Sequence, residues 1–417
     1  MHRLVVFATL LFSAYLLSGN GFYVWQQQWT DAVEAAVIDE LTAGTHDLYI
    51  LGGELEYVNG AARWRLPSVP EWHWRKTRVT AVLRLPVRAL DDLEISAAKT
   101  IARAVALKVN RIQLDVDVPE RAIVRYAELL EKLRRDWPES AGKLHLGVTL
   151  LPCHLPHSEV SMVLKAIDEP IIQLHGIDAP KSCSDHWALM NRSTAFGALR
   201  AARKLDSRFK MALPSYAYVL TFNADGSFRR LYAEGLPDDF TLPQGTIRAL
   251  AAPDLELIHE ILSSPLCLPT IWFRLPVSGA DRWCFSRETL ASLERGEKPT
   301  PSIEFLVQPG ARAEVANIVA RYHHQIPSAG AFAVVEWGSE KAIGEFFPLN
   351  GCRVEGDEAY GRLPRVISIP PFACGESRVI AKVIASIDWR KVSIQQARSK
   401  PILPPRIKPL ANKPSAP

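Results

Sequence analysis

The chain has 417 residues, of which 48% are hydrophobic and 23% charged, enough to bury a large core and too apolar to be disordered over most of its length. Its formal charge of +4 is unevenly placed: Arg3 near the start and Arg398, Lys400, Arg406, Lys408 and Lys413 in the tail face no acids, which leaves −2 for the body between them. A near-neutral body lacks the basic field that a phosphate backbone requires, so the composition argues against nucleic acid as a partner.

The chain opens with Met1-His2-Arg3, a 14-residue apolar run and then Ser18-Gly19-Asn20-Gly21. A positive end, an apolar stretch short for a bilayer and small residues after it form the pattern of a secretory signal peptide over residues 1–21. Cleavage near Gly21 gives a periplasmic or secreted protein; without cleavage the segment is a membrane anchor. Export permits disulfides, and the order of the six cysteines suggests Cys153 with Cys183, Cys267 with Cys284 and Cys352 with Cys374, although the sequence leaves every pairing open. None has the CxxC spacing of zinc or thioredoxin-type sites.

From residue 22 onward eight short apolar runs follow: FYVW, DLYILGGE, VTAVLRLPV, RIQLDVD, LHLGVTLLP, PIIQLHG, FKMALPSYAY and TIWFRLP. Segments of helical periodicity separate them, clearest in RAIVRYAELLEKLRRDW, where Tyr126, Leu129, Leu130, Leu133 and Trp137 share a face. The others are AVEAAVIDEL, ISAAKTIARAVAL, SEVSMVLKAI, STAFGALRAARKL, DLELIHEILSS and RETLASLERG. This alternation predicts an α/β fold, a (β/α)8 TIM barrel over residues 22–297. The stretch after Glu54, with its prolines and tryptophans, reads as an irregular loop, and Asp225-Gly226 as the turn of a β-hairpin. Residues 298–397 read as a small β-rich module containing one helix, ARAEVANIVARYHH, and residues 398–417 as a disordered, basic, Pro-rich tail.

Buried parallel strands should be near-continuous Val, Ile and Leu, so polar residues at their carboxyl ends need a reason. Asp115 and Asp117, two apart on the fourth run, point the same way as Gln113. Two close carboxylates in a partly dry site repel, which raises one pKa and gives a proton donor beside a charged partner, the arrangement acid/base hydrolysis uses. Glu54, after Gly52-Gly53, is the third candidate catalytic acid. The bland alternative pairs the aspartates with Arg84 or Arg274.

Trp25, His175, Tyr216, Tyr218, Trp272 and Arg274 stand near strand ends and, with Gln113, are candidate glycan-binding residues, because aromatic rings cover the apolar faces of sugars. His154 and His157 do not specify a metal site, and no cofactor or metal is expected. G-x-S-x-G, P-loop, GxGxxG and H-E-x-x-H motifs are absent, which argues against the hydrolase, nucleotide and zinc-protease classes they mark.

The motifs FYVWQQQWTDAVEAAV, LYILGGELE, RIQLDVDVPERAIVRYAELLEKLR, ALPSYAY and IWFRLPVSGADRWCFSRETL together resemble the uncharacterised bacterial family known as domain of unknown function 3142. That resemblance covers roughly residues 22–297 and implies a glycoside-hydrolase-like barrel. A second likeness is to chitinase-type family 18 glycosidases, whose fourth strand ends D-x-x-D-x-D-x-E. Asp115 and Asp117 match two of its aspartates, while the next acid, Glu120, stands one residue beyond the place of the glutamate, which Pro119 occupies.

The sequence therefore points to an exported carbohydrate-active barrel whose partner is a polysaccharide or glycan of the envelope or surroundings. It is either a glycoside hydrolase using paired carboxylates or a non-catalytic polysaccharide-binding barrel. A divalent-cation site on Asp115, Asp117 and Glu54 is a third reading. Envelope association would come through the N-terminal segment or the basic tail.

Overall fold

The computed structural model describes residues 20–26, 28–44, 46–71, 78–176, 179–185, 188–232, 246–277, 284–298, 302–323, 331–338, 342–355, 363–369 and 377–397. The chain divides into two compact units, one comprising Met1–Thr300 with His324–Ile326 and the other Pro301–His323 with Pro327–Pro417.

In the first unit, β1 (Gly21–Val24), β2 (Asp47–Val58), β4 (Val79–Arg84), β5 (Arg111–Asp115), β6 (His145–Leu150), β7 (Glu169–Gln173), β8 (Lys210–Pro214) and β12 (Thr270–Phe273) are the eight runs legible in the sequence. Each pairs in parallel with its neighbour, and β1 pairs with both β2 and β12, so the sheet closes into a (β/α)8 barrel. Asn20 pins the seam: its carbonyl accepts from Asp47 N–H and its side-chain oxygen from Thr270 N–H, tying the starts of β2 and β12 together.

Helices α1 (Asp31–Ala43), α2 (Leu93–Leu107), α3 (Ile123–Asp136), α4 (Val160–Ala166), α5 (Arg192–Leu205), α6 (Leu255–Ser263) and α7 (Arg287–Glu294) fill the connections. Their apolar faces cover the outward side chains of the strands, as Tyr126, Leu129, Leu130 and Leu133 of α3 do beside Ile112 and Leu114. The inward residues Tyr23, Tyr49, Val82, Ile171, Ala212 and Ile271 form a separate inner core, which makes the barrel a packed structure rather than a pore.

In this unit the structure departs from the sequence reading at one place and extends it at another. The stretch after Glu54 is ordered at first: β2 continues to Val58 and turns back at once through β3 (Ala61–Arg65). Asn59 and Gly60 at the turn have φ of 51° and 81°, the left-handed pair a tight hairpin needs. The hairpin at Asp225-Gly226 forms between β9 (Tyr218–Phe222) and β10 (Phe228–Tyr232), and β11 (Ile247–Ala251) adds a third strand on the other side of β9.

The second unit has two four-stranded sheets. One runs β13 (Ser302–Pro309), β14 (Val315–His323), β19 (Ser377–Ala385), β16 (Gly344–Pro348); the other runs β17 (Arg353–Val354), β18 (Val366–Ile369), β15 (Ala331–Glu336), β20 (Ser393–Ala397). Their inner faces share one core through Ile318, Val383, Val335 and Ile367, so the unit is a β-sandwich. The segment ARAEVANIVARYHH is not a helix but contains β14. Ala316, Ile318 and Ala320 are buried at every second position, and β14 pairs on both edges, so sheet burial outweighs the helix propensity of its alanines.

The cysteine pairings do not form in the barrel unit. Cys153 and Cys183 are exposed free thiols, the second lying against Gly226 of the hairpin. Cys267, before β12, has a free thiol that donates to Leu268 O. Cys374, the proposed partner of Cys352, lies outside the described residues, as do the N-terminal segment to residue 19, Trp72, Trp74 and the tail from residue 398.

Candidate glycan-binding mouth of the barrel

The carboxyl ends of the strands form the barrel mouth. Arg84 and Asp115 lie on one rung, as β4 and β5 pair there, and the register of β2 brings Glu54 to the same rung. Arg84 sits between the two aspartates, with Nη2 donating to Asp117 Oδ2 at 3.1 Å and Nε 3.8 Å from Asp115 Oδ2. Its guanidinium lies 5.9 Å from the centre of the Trp25 ring.

Asp115 is the more enclosed acid. Burial raises its carboxyl, Arg84 pulls it down, and Asp117 raises it again, with the net result at about 6. Below it the Gln113 amide donates to Tyr23 Oη and to Thr149 Oγ1, each at 2.6 Å, which ties β5 to β1 and β6 under the mouth. Gln113 is fully buried and therefore supports the floor of the site rather than its surface. Glu54 is held differently: Arg65 of β3 pairs with its carboxylate and, at 2.8 Å, with Glu56. Each of the three candidate acids thus has an arginine partner.

Aromatic rings make up the rest of the mouth. Phe273, at the end of β12, is the hub, with ring centres 5.4 Å from Trp25, 5.0 Å from Tyr23, 5.1 Å from His175 and 5.6 Å from Tyr216. Trp25, Phe273 and Tyr218 are half-buried and present ring surface, whereas Tyr216 and His175 lie behind them. Tyr216 donates a short hydrogen bond to Tyr218, and Arg274 stacks over the Tyr216 ring at 5.5 Å. Burial raises the Tyr218 hydroxyl, against which Tyr216, Arg84 and Arg274 pull it down and Asp117 adds to the rise.

Trp272 does not belong here. It is fully buried among the outward-facing residues, and its indole N–H donates to Glu294 of α7 at 2.8 Å. The strand ends at Phe273, so the period of two that put Trp272 and Arg274 on one face breaks between them, and Phe273 turns inward in its place. Sequence reading missed Phe273, although its position two after the inward Ile271 would have found it once the inner parity of β12 was fixed.

The other polar candidates separate cleanly. His154 accepts from Leu151 N–H and its second ring nitrogen lies 2.7 Å from Val118 O, so it ties a loop together. Glu120, the acid nearest the glutamate of the D-x-x-D-x-D-x-E pattern, is half-exposed and pairs with His157 at 2.9 Å. Among the described residues Asp115, Asp117 and Glu54 do not form a group able to hold a metal ion.

Residues 87–278 match the model of the family "Domain of unknown function (DUF3142)". None of the curated proteins matches the chain. Among solved structures, a chitinase from Chromobacterium violaceum is 12% identical with a TM-score of 0.46, over 67% of this chain and 98% of its own. The spore cortex-lytic enzyme SleL of Bacillus megaterium is 13% identical with a TM-score of 0.47, over 68% of this chain and 75% of its own. Chitinase ChiA74 of Bacillus thuringiensis is 9% identical with a TM-score of 0.46, over 90% and 100%. The barrel is established by its own closed strand order.

Proposed function

We propose that the DUF3142 barrel of this protein is a non-catalytic glycan-binding module of an exported protein. The observation that carries this reading is that every candidate acid has an arginine beside it, Asp117 bonded by Arg84 at 3.1 Å, Asp115 3.8 Å from the same guanidinium and Glu54 paired with Arg65, next to half-buried aromatic rings. An ion-paired carboxylate is a poor nucleophile or base but a good acceptor for sugar hydroxyls, and the Trp25, Phe273 and Tyr218 rings offer apolar surface to a pyranose face. The place of the D-x-x-D-x-D-x-E glutamate is taken by Pro119, which cannot donate a proton.

Hydrolysis is the second reading, favoured by one observation. Asp115, raised to about 6, keeps a proton within reach of neutral pH and so has the property of a general acid. Reducing-end release and binding measured on the same set of oligosaccharides separate the two readings. The binding reading expects retained affinity and no cleavage by the wild type. Cleavage that Asp115→Asn lowers by about a hundredfold or more, with folding intact, would establish the hydrolase instead.

Export rests on residues 1–21 as a signal peptide or anchor, and the basic tail suits anionic envelope polymers. Fractionation of the producing cell tests this, and a chain confined to the cytoplasm with its Met1 intact would end it.

A further inference from the structure

His175 extends this reading and rests on it. The residue follows β7, is 5% exposed, and sits behind the mouth between Phe273 and Tyr216, with ring centres at 5.1 and 6.4 Å. Among the described residues its Nδ1 is buried with no hydrogen-bond partner. The Gln113 side-chain oxygen, also on an inward-facing position, is buried and unpartnered in the same way. An unsatisfied polar atom inside a barrel costs stability that Leu or Phe at the same position would not. Such a cost persists where a ligand recovers it.

We propose that His175 is a specificity residue of the mouth, whose ring accepts or donates a hydrogen bond to a hydroxyl of an uncharged sugar, and that the barrel selects neutral over carboxylated or sulfated glycans. Burial alone brings the imidazole down to about 4, so at pH 7 the ring is neutral and has no charge to offer an anion. The cations nearby do not supply one either. Arg84 is held by Asp115 and Asp117, and Arg274 is 3% exposed and stacked on Tyr216. Among the described residues of the mouth, Arg65, Arg84 and Arg274 face the acids Glu54, Glu56, Asp115 and Asp117, so these charges do not favour an acidic sugar. A neutral imidazole against aromatic edges suits a hydroxyl presented by a ring that stacks on Phe273 and Trp25.

The test has two arms on the full chain. Thermal unfolding without ligand compares the wild type with His175→Leu and His175→Gln. Removal of an unsatisfied ring should leave the midpoint of His175→Leu unchanged or raised at pH 7, and a fall of several degrees would overturn the proposal by showing that the imidazole holds the fold. Calorimetric titration then compares cellohexaose, xylohexaose and mannohexaose with oligogalacturonate. The wild type should bind a neutral oligosaccharide and not the uronate, His175→Leu should bind it about tenfold more weakly, and His175→Gln should recover part of the loss. Preference for the uronate, or neutral binding left intact by His175→Leu, would overturn this inference alone. A wild type that binds none of the four would end the glycan reading with it.

Discussion

The two ends of the barrel treat buried carboxylates in opposite ways. At the amino end of the strands, Glu169 accepts from Tyr49 Oη at 2.6 Å and pairs with Lys210 at 3.0 Å, while Lys210 also donates to Tyr49 and reaches Asp47 at 3.6 Å. Burial opposes its charge, but His145 at 3.7 Å, the charge of Lys210 and the Tyr49 hydroxyl more than offset that and bring its pKa to about 2. At the mouth, Asp115 shares one half-exposed Arg84 with Asp117 and is left at about 6. One end is closed by partners built into the strands, and the other keeps an acid, a histidine and ring surfaces incompletely served. Partner supply rather than depth decides the sign of each shift, and the undersupplied end is where a ligand has something to add.

The contrast breaks most visibly at the closed end. Lys210→Met leaves Glu169 buried without its nearest cation and should cost about 3–5 kcal/mol, read from urea unfolding at pH 7. A loss below about 1 kcal/mol would show that Tyr49 and His145 suffice. Glu169 lies below its unfolded value of 4.5, so its contribution is present above that pH and is lost as pH falls towards about 2. Lys210→Met should remove much of this acid dependence.

The open end sharpens the comparison through two opposed titrations. Asp115 is raised from 3.8 to about 6, so the stability it contributes is full below 3.8 and is lost as pH rises through 6. His175 is lowered from 6.5 to about 4, so its contribution is full above 6.5 and is lost as pH falls through 4. Between these limits the two slopes oppose each other in the wild type. Asp115→Asn should therefore make stability fall towards acid, and His175→Leu should make it fall towards neutral pH, each by about 2 kcal/mol across the window. Unfolding midpoints collected from pH 4 to 7 decide it, and two mutants tilting the same way would refute the pairing of signs.

Smaller effects follow at the edges. Trp25→Ala should weaken glycan binding about tenfold while leaving the unfolding midpoint within a few degrees, since the ring is half-buried. In the β2–β3 hairpin, Asn59→Ala should cost about 1 kcal/mol, the penalty for forcing an ordinary side chain to a positive φ. No change there would mean that the turn rearranges.

The eight strands and seven helices of the barrel were legible because each carries its signal locally: near-continuous Val, Ile and Leu for a strand covered on both sides, and a 3.6-residue stripe for a helix covered on one. The Asn59-Gly60 turn carried an equally local signal that the prolines and tryptophans behind it obscured. β14 did not, because Ala, Val and Asn suit either state alone and only the strands on both its edges select one.

For the site, the sequence by itself determined that Asp115, Asp117 and Arg84 would stand near strand ends, since strand periodicity fixes which residues face the barrel interior. It could not determine that one guanidinium would serve both aspartates, that Trp272 would turn out to Glu294 while Phe273 turned in, or that Glu169 would be satisfied and His175 not. Those outcomes depend on distances between residues 22 to 120 apart in the chain, as with Trp272 and Glu294 or Tyr49 and Glu169. Hydrogen bonds and ion pairs act over a few ångströms, so they are set only when closure of the sheet has chosen the neighbours.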